Sequence, residues 1–232
     1  LVPIGLAVAL LYKPERPYII LIMIPPVILA DEALKRYYNL RNEATETLRI
    51  LADTLDQRDR YTARHSANVA EYAAKIAEKM GMSQEEVNEI EMAGHVHDLG
   101  KVGIPDSILN KNGKLLDDEY DKIKKHPYTA YRLLKNLKPY QQCAKYVLYH
   151  HERIDGNGYP ERLERSQIPL GAKILSVADS YDAMTTDRPY RKALSQEMAV
   201  REMLLYSGRQ FDPDVVEAFI SILKRDYGYK GE

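Results

Sequence analysis

The sequence of 232 residues holds a single cysteine, Cys143, no tryptophan and only two phenylalanines. One cysteine excludes a disulfide scaffold and every cysteine-based zinc module, and suits a reducing compartment. A basic excess is also missing: 33 Lys and Arg stand against 34 Asp and Glu, a formal net charge of −1. A protein held mainly by the phosphates of a nucleic-acid polymer needs such an excess, so that class is excluded. Charged residues at 29% are too many for a polytopic membrane protein as a whole, while hydrophobic residues at 45% can supply a core. Neither N-terminal apolar run reaches the ~18 residues that argue for a spanning helix. With no initiator Met and no basic region ahead of the first run, a cleaved signal peptide is a poor reading, and the chain reads as starting inside something longer.

Composition changes near residue 31. Residues 1–12 and 17–30 carry no charge; after Asp31 the chain is charged throughout. Two readings of residues 1–30 stay open: the end of a membrane domain, followed by Lys35, Arg36 and Arg41 as a positive-inside flank, or a buried helical hairpin broken at Pro25-Pro26. Residues 31–58 lack Gly and Pro and predict one connector helix. Ala44, Leu48, Leu51 and Leu55 form a stripe that suits either a homodimeric helix pair or packing on the following domain.

From residue 59 to 232 the pattern is helix after helix. Ser83–Glu86 reads as a capping box, and Asp117 as the cap of a helix that ends at His126-Pro127. Apolar residues recur at three and four: Val69, Ala73, Ile76 and Met80; Val87, Ile90 and Gly94; Ala144, Val147 and Leu148. No segment alternates with period two. The irregular stretch Asp155–Pro169 is rich in Gly and Pro. The expected fold is an all-α bundle, preceded by the connector helix and the apolar segment.

All six histidines fall between residues 65 and 151. His65, His97, His126, His150 and His151 continue apolar stripes or close them, so their rings point inward, as does Asp179. Asp98 follows His97 directly. Burying five imidazoles and two carboxylates uncompensated would cost roughly 1–3 kcal/mol per unsatisfied group. Divalent metals remove that cost, since imidazole and carboxylate are their standard ligands. Seven ligands exceed the needs of one catalytic metal, so two metals bridged by Asp98 fit better. His95, about 200° away on the His97 helix, is left out. HHERID lacks the second histidine of a zinc-protease HExxH, and Cys143 has no charge signature of a nucleophile.

These residues together resemble a known family. HDLGK at 97–101, with the earlier His65 and later Asp179, resembles the HD superfamily of metal-dependent phosphohydrolases. His126-Pro127 and HHERIDGNGYP at 150–160 are similar to its HD-GYP branch, as are RDRYTARHS at 58–66, KVGIPDSIL at 101–109 and ADSYDAMTTDRPYRKA at 178–193. The resemblance covers residues 52–226 in the family's order and spacing.

It implies hydrolysis of the bacterial second messenger cyclic di-GMP to pGpG and onward to GMP. By position, His65, His97, Asp98 and Asp179 match the ligands of one metal, and Asp98, His126, His150 and His151 those of the other. Lys101 matches a lysine that touches substrate phosphate; Gly158, Tyr159 and Pro160 are the GYP triplet; Arg188 and Arg191 match ligand-contacting positions. The resemblance implies iron or manganese in preference to zinc and GGDEF-domain partners; the catalytic domain is expected in the cytoplasm, and the apolar segment with its basic flank is the expected attachment to the bacterial inner membrane. Two metals ~3.5–4 Å apart can hold a hydroxide for in-line attack and clamp a phosphate oxygen. Lys101 is placed to offset charge on the phosphate, or to cap its helix. Asp182, one turn after Asp179, is expected among the catalytic residues as proton donor to the leaving group or as a partner behind a metal ligand. Gly156 and Gly158 allow positive φ, letting the loop fold over the site, where Tyr159 stacks on guanine or staples the loop. Some family members hold a third metal on a carboxylate four residues before the first histidine. Here that residue is Tyr61, and Asp59 points elsewhere, so two metals are expected. The open alternatives are an HD-type hydrolase of another nucleotide and a non-catalytic module that binds a cyclic dinucleotide.

Overall fold

The computed structural model describes residues 18–58, 64–111, 113–187 and 192–231. Within them the chain forms α1 (Tyr18–Arg58), α2 (His65–Lys79), α3 (Gln84–Val96), α4 (Asp106–Leu109), α5 (Asp117–Ile123), α6 (His126–Leu134), α7 (Gln141–Tyr149), α8 (Leu170–Thr185), α9 (Gln196–Tyr206) and α10 (Pro213–Asp226), with 3₁₀ turns at Leu99–Gly103 and Lys138–Tyr140. No strand occurs among the described residues, only two isolated bridges. Backbone contacts divide the chain into two units, one ending at Thr47 and the other starting at Leu48.

α1 starts thirteen residues before Asp31 and runs through Pro25 and Pro26, so the connector helix is longer than its composition predicts. No helix among the described residues is long and apolar enough to cross a membrane. Part of the expected stripe is used by the bundle: Ala52 and Leu55 are buried and Leu48 packs on the same core. Leu51 and Ala44 remain exposed.

The bundle is built on α2, which packs on α3, α8 and α10, while α7 lies against α3, α6 and α8. Val69, Ala73 and Ile76 of α2 meet Ile90 and Ala93 of α3, Val147 of α7, Ile174 and Leu175 of α8 and Phe219 of α10 in one apolar cluster. Ser83 accepts from Glu86 N–H and Glu86 accepts in return from Ser83 N–H, the expected capping box. Gly94 is needed for the α2–α3 approach: a Cβ there would run into the Ala70 backbone.

Two local expectations change. Asp117 begins α5 instead of capping it; the capping carboxylate is Glu119, which accepts from Leu116 N–H at 2.8 Å. His126 opens α6 rather than ending a helix, because proline in a first turn gives up an N–H that the helix leaves unpaired anyway.

The irregular stretch after α7 is pinned at its far end by Asp212, the buried N-cap of α10. It accepts from Arg165 through Nε and Nη2, each at 3.0 Å, from Lys173 Nζ at 3.0 Å, and from Asp214 N–H at 3.1 Å. Burial works against its charge, but Arg165 and Lys173 hold its carboxyl below the usual range. Asp212→Ala removes a cap worth ~1 kcal/mol and strands Lys173 at a further cost of about 1–2 kcal/mol. The expected loss in urea denaturation of the metal-free protein is therefore ~2–3 kcal/mol. A loss below half a kcal/mol would show that this cluster does not anchor the loop.

Candidate metal centre

Five stretches of chain deliver the site. His65 is the first residue of α2, and His97 and Asp98 follow α3. His126 opens α6, His150 and His151 follow α7, and Asp179 and Asp182 lie on α8. Helix ends suit this task, because their unpaired carbonyls can orient imidazoles. His97 Nδ1 lies 2.8 Å from Gly94 O, His126 Nδ1 2.7 Å from Ile123 O and His150 Nδ1 2.7 Å from Val147 O. A carbonyl only accepts, so each Nδ1 carries the proton and each Nε2 presents a lone pair. All three Nε2 atoms are buried and without a hydrogen-bond partner. Three such orphans, at roughly 1–3 kcal/mol each, fit lone pairs that serve a metal ion.

The ligand atoms fall into two groups, His65 with His97 and Asp98, and His126 with His150 and His151, each within 4.8 Å of one another. Asp98 joins them. Its Oδ2 is 3.4 Å from His97 Nε2, and its Oδ1 is 3.3 Å from His126 Nε2. Asp179 adds an oxygen to the first group, 3.2 Å from His65 Nε2 and 3.9 Å from His97 Nε2. The first group thus offers two imidazoles and two carboxylates, the second three imidazoles and the shared carboxylate. Lys101 Nζ sits 2.7 Å from Asp98 Oδ2 at the mouth of the centre.

The electrostatics follow this division. Burial opposes charge on His65, yet the hydrogen bonds it donates to Asp179 and Asp182 carry it up to about 10. Asp98 is also buried, but the Lys101 ammonium beside it keeps it well below the carboxylate range. In the second group burial dominates: His126 and His150 are pushed down, and His151, with His126 beside it, falls to about 3. Three neutral imidazoles around one point form a nitrogen donor set that fits a divalent cation.

Of the two roles expected of Asp182, its contacts fit that of a partner behind a metal ligand. Its Oδ2 accepts from His65 Nδ1 at 2.7 Å and its Oδ1 from Asn68 Nδ2 at 2.7 Å. It lies buried behind His65, where it can fix ring and tautomer. The positive φ expected at Gly158 is corrected. Its φ is not positive, unlike the +74° of Gly156; its missing side chain matters because a Cβ would collide with the Glu152 and Arg153 backbone. Tyr159 stacks on His151, ring centroids 4.8 Å apart, and its N–H donates to His151 O. Pro160 follows on the exposed side of the loop.

Sequence reasoning missed Glu152. This buried carboxylate accepts from Glu161 N–H at 2.6 Å and Leu163 N–H at 3.0 Å, tying the GYP loop to the residue after His151. An acidic residue directly after two inward histidines was the available signal. His95 faces away, towards Glu91 at 3.9 Å. Arg188, Arg191, Tyr61 and Asp59 lie outside the described residues.

A sequence profile described as HD domain matches residues 47–215. The chain belongs to the HD-domain family. With the Gly158-Tyr159-Pro160 triplet on the second histidine pair, it is a member of the HD-GYP branch. Among curated relatives, a cyclic di-GMP phosphodiesterase of Thermotoga maritima is 42% identical over 84% of this chain and 53% of its own length. The cyclic di-GMP phosphodiesterase response regulator RpfG of Xanthomonas campestris is 43% identical over 83% of this chain and 51% of its own. This HD-GYP chain therefore spans about half the length of those two relatives. Among solved structures, a cyclic GMP-AMP specific phosphodiesterase of Vibrio cholerae superposes with a TM-score of 0.63 at 18% identity, over 79% of this chain and 49% of its own. That likeness establishes the shared fold.

Proposed function

We propose that this chain is a metal-dependent phosphodiesterase that hydrolyses cyclic di-GMP to pGpG and onward to GMP. The observation that carries the reading is the pair of ligand groups sharing Asp98 beneath a GYP loop stacked on His151. His65, His97, Asp98 and Asp179 would hold one divalent ion, and Asp98, His126, His150 and His151 the other. Iron or manganese suits this mixed imidazole–carboxylate set. When bound, the two ions supply Lewis acidity at phosphorus and an activated water.

The chain's own groups do the rest. Asp182 keeps the His65 lone pair aimed inward. Lys101 is within reach of Asp98 and, by resemblance, of a substrate phosphate, where an ammonium favours the growing negative charge. Gly158, Tyr159 and Pro160 form one wall for the ligand, and Arg188 and Arg191 match positions that pair with phosphate or guanine.

We further infer a division into an apolar segment at 1–30, a connector at 31–58 and a catalytic domain at 59–232. Homodimerisation through the connector is supported by Tyr37, Leu40, Ala44 and Leu51, exposed at spacings of three, four and seven. The charge step at Asp31 supports attachment of the segment before it to the inner membrane, with the catalytic domain in the cytoplasm. A GGDEF-domain partner rests on the family resemblance alone.

The test is turnover by purified protein with Mn²⁺ or anaerobic Fe²⁺. Cyclic di-GMP should disappear with pGpG formed before GMP. Turnover of 3′,3′-cyclic GMP-AMP but not of cyclic di-GMP would reassign the substrate. Tight binding without turnover would make the chain a sensor module.

A further inference from the structure

α2 begins on a metal-ligand candidate without a cap of its own. Arg64 makes no side-chain cap hydrogen bond, and the first turn contains no acidic residue. A helix start leaves N–H donors that need a partner. Here a partner comes from another helix: Asp56, in the last turns of α1, accepts from Ser66 N–H at 3.4 Å. Asp56 is buried, and it shares its face of α1 with Ala52 and Leu55, which pack in the core. Its contact is with the residue directly after His65, which places it beside the start of α2 and one residue from a candidate ligand.

The first turn of α2 is therefore gripped from two sides. Asp182 on α8 holds the His65 ring and Asn68, while Asp56 on α1 holds the backbone directly after His65. A carboxylate is favoured at a helix N-terminus, and its hydrogen bonds to N–H groups are stronger than neutral ones. An apolar residue at position 56 would avoid the cost of burying a carboxylate, so packing alone does not account for it.

We propose that Asp56 is a positioning residue for the metal centre: by capping α2 from α1 it fixes the backbone at His65 and so aims His65 Nε2 at Asp98 and Asp179. This rests on the metal-centre reading above and adds to it a dependence on the end of α1. The predicted defect is confined to the His65 group. The His126, His150 and His151 group hangs on α6 and α7, which Asp56 does not cap.

The experiment is titration of metal-free protein with Mn²⁺ and Co²⁺, following occupancy by electron paramagnetic resonance and by visible absorption. Asp56→Ala should weaken one of two sites by ~10–100-fold, the size found when groups that hold metal ligands are removed, and leave the other unchanged. Asp56→Asn keeps an acceptor but no charge, so it should fold and show a smaller loss in the same site. In a His65→Ala background, Asp56→Ala should cost no further affinity, because the two changes act on one ligand. Wild-type affinity at both sites in the Asn and Ala variants would overturn the proposal; if the Ala variant fails to fold, unchanged affinity in the Asn variant alone does so. A further loss in the His65→Ala background would also overturn it. A wild-type protein that binds no metal would instead defeat the metal-centre reading.

Discussion

Asp98→Ala is expected to remove both metals at once and to lower phosphodiesterase activity by about 1,000-fold or more, roughly 4 kcal/mol of transition-state stabilisation. The reason is the division of its two oxygens, Oδ2 towards His97 and Oδ1 towards His126. No other carboxylate among the described residues spans the two groups; Asp179 approaches only His65 and His97 at salt-bridge distance. The substitution also leaves Lys101 without the carboxylate that faces it at 2.7 Å. By contrast, His151→Ala should empty one group and spare the other. Elemental analysis of the two variants side by side checks this. Full occupancy in Asp98→Ala would mean that the carboxylate is not shared.

Gly100→Ala should be nearly as damaging, although Gly100 ligates nothing. The 3₁₀ turn after Asp98 packs on the start of α6 so closely that a Cβ at Gly100 would collide with the carbonyl oxygen of His126, and would lie 2.8 Å from Ala130 N. Both are backbone atoms and cannot swing aside, so α6 must shift and carry His126 with it. Overpacking of this kind costs ~1–3 kcal/mol in stability, and misplacing a reacting group by about 1 Å can cost ~100-fold in rate. Gly103→Ala is the control, in the same turn but with nothing within 4 Å of the added methyl. The expected result is about 100-fold lower activity and reduced metal content in Gly100→Ala, with Gly103→Ala like wild type. Equal activity in both would show that α6 can move without loss.

The helical class and the inward histidines were legible because both depend on spacing along one helix. Val69, Ala73 and Ile76 repeat at helical intervals, and His65 stands at the head of that stripe. What spacing could not reveal is which atom of each side chain faces what. Asp182 lies one turn beyond Asp179 on α8, so both carboxylates read as inward; only the third dimension shows that one meets His65 at Nε2 and the other at Nδ1. The need for glycine at 100 and 158 was similarly hidden, since it arises from backbone approach between segments distant in sequence or folded back in a loop. His126-Pro127 was misread because proline marks both where helices stop and where they start. Asp56 gave no signal at all: a carboxylate near the end of a charged helix looks solvated until the bundle buries it.

Seven side chains are proposed to hold two ions, four contacts each with Asp98 counted twice. A third ion would need a carboxylate where this sequence has Tyr61, a phenol that ionises near pH 10. The most direct test is the metal-to-protein ratio of anaerobically prepared chain, by elemental analysis of the fully active sample. Two iron or manganese ions per chain are expected, one in His151→Ala with Tyr61 unchanged, and a third only after Tyr61→Glu. A ratio of one in fully active protein, or of three with Tyr61 in place, would contradict this.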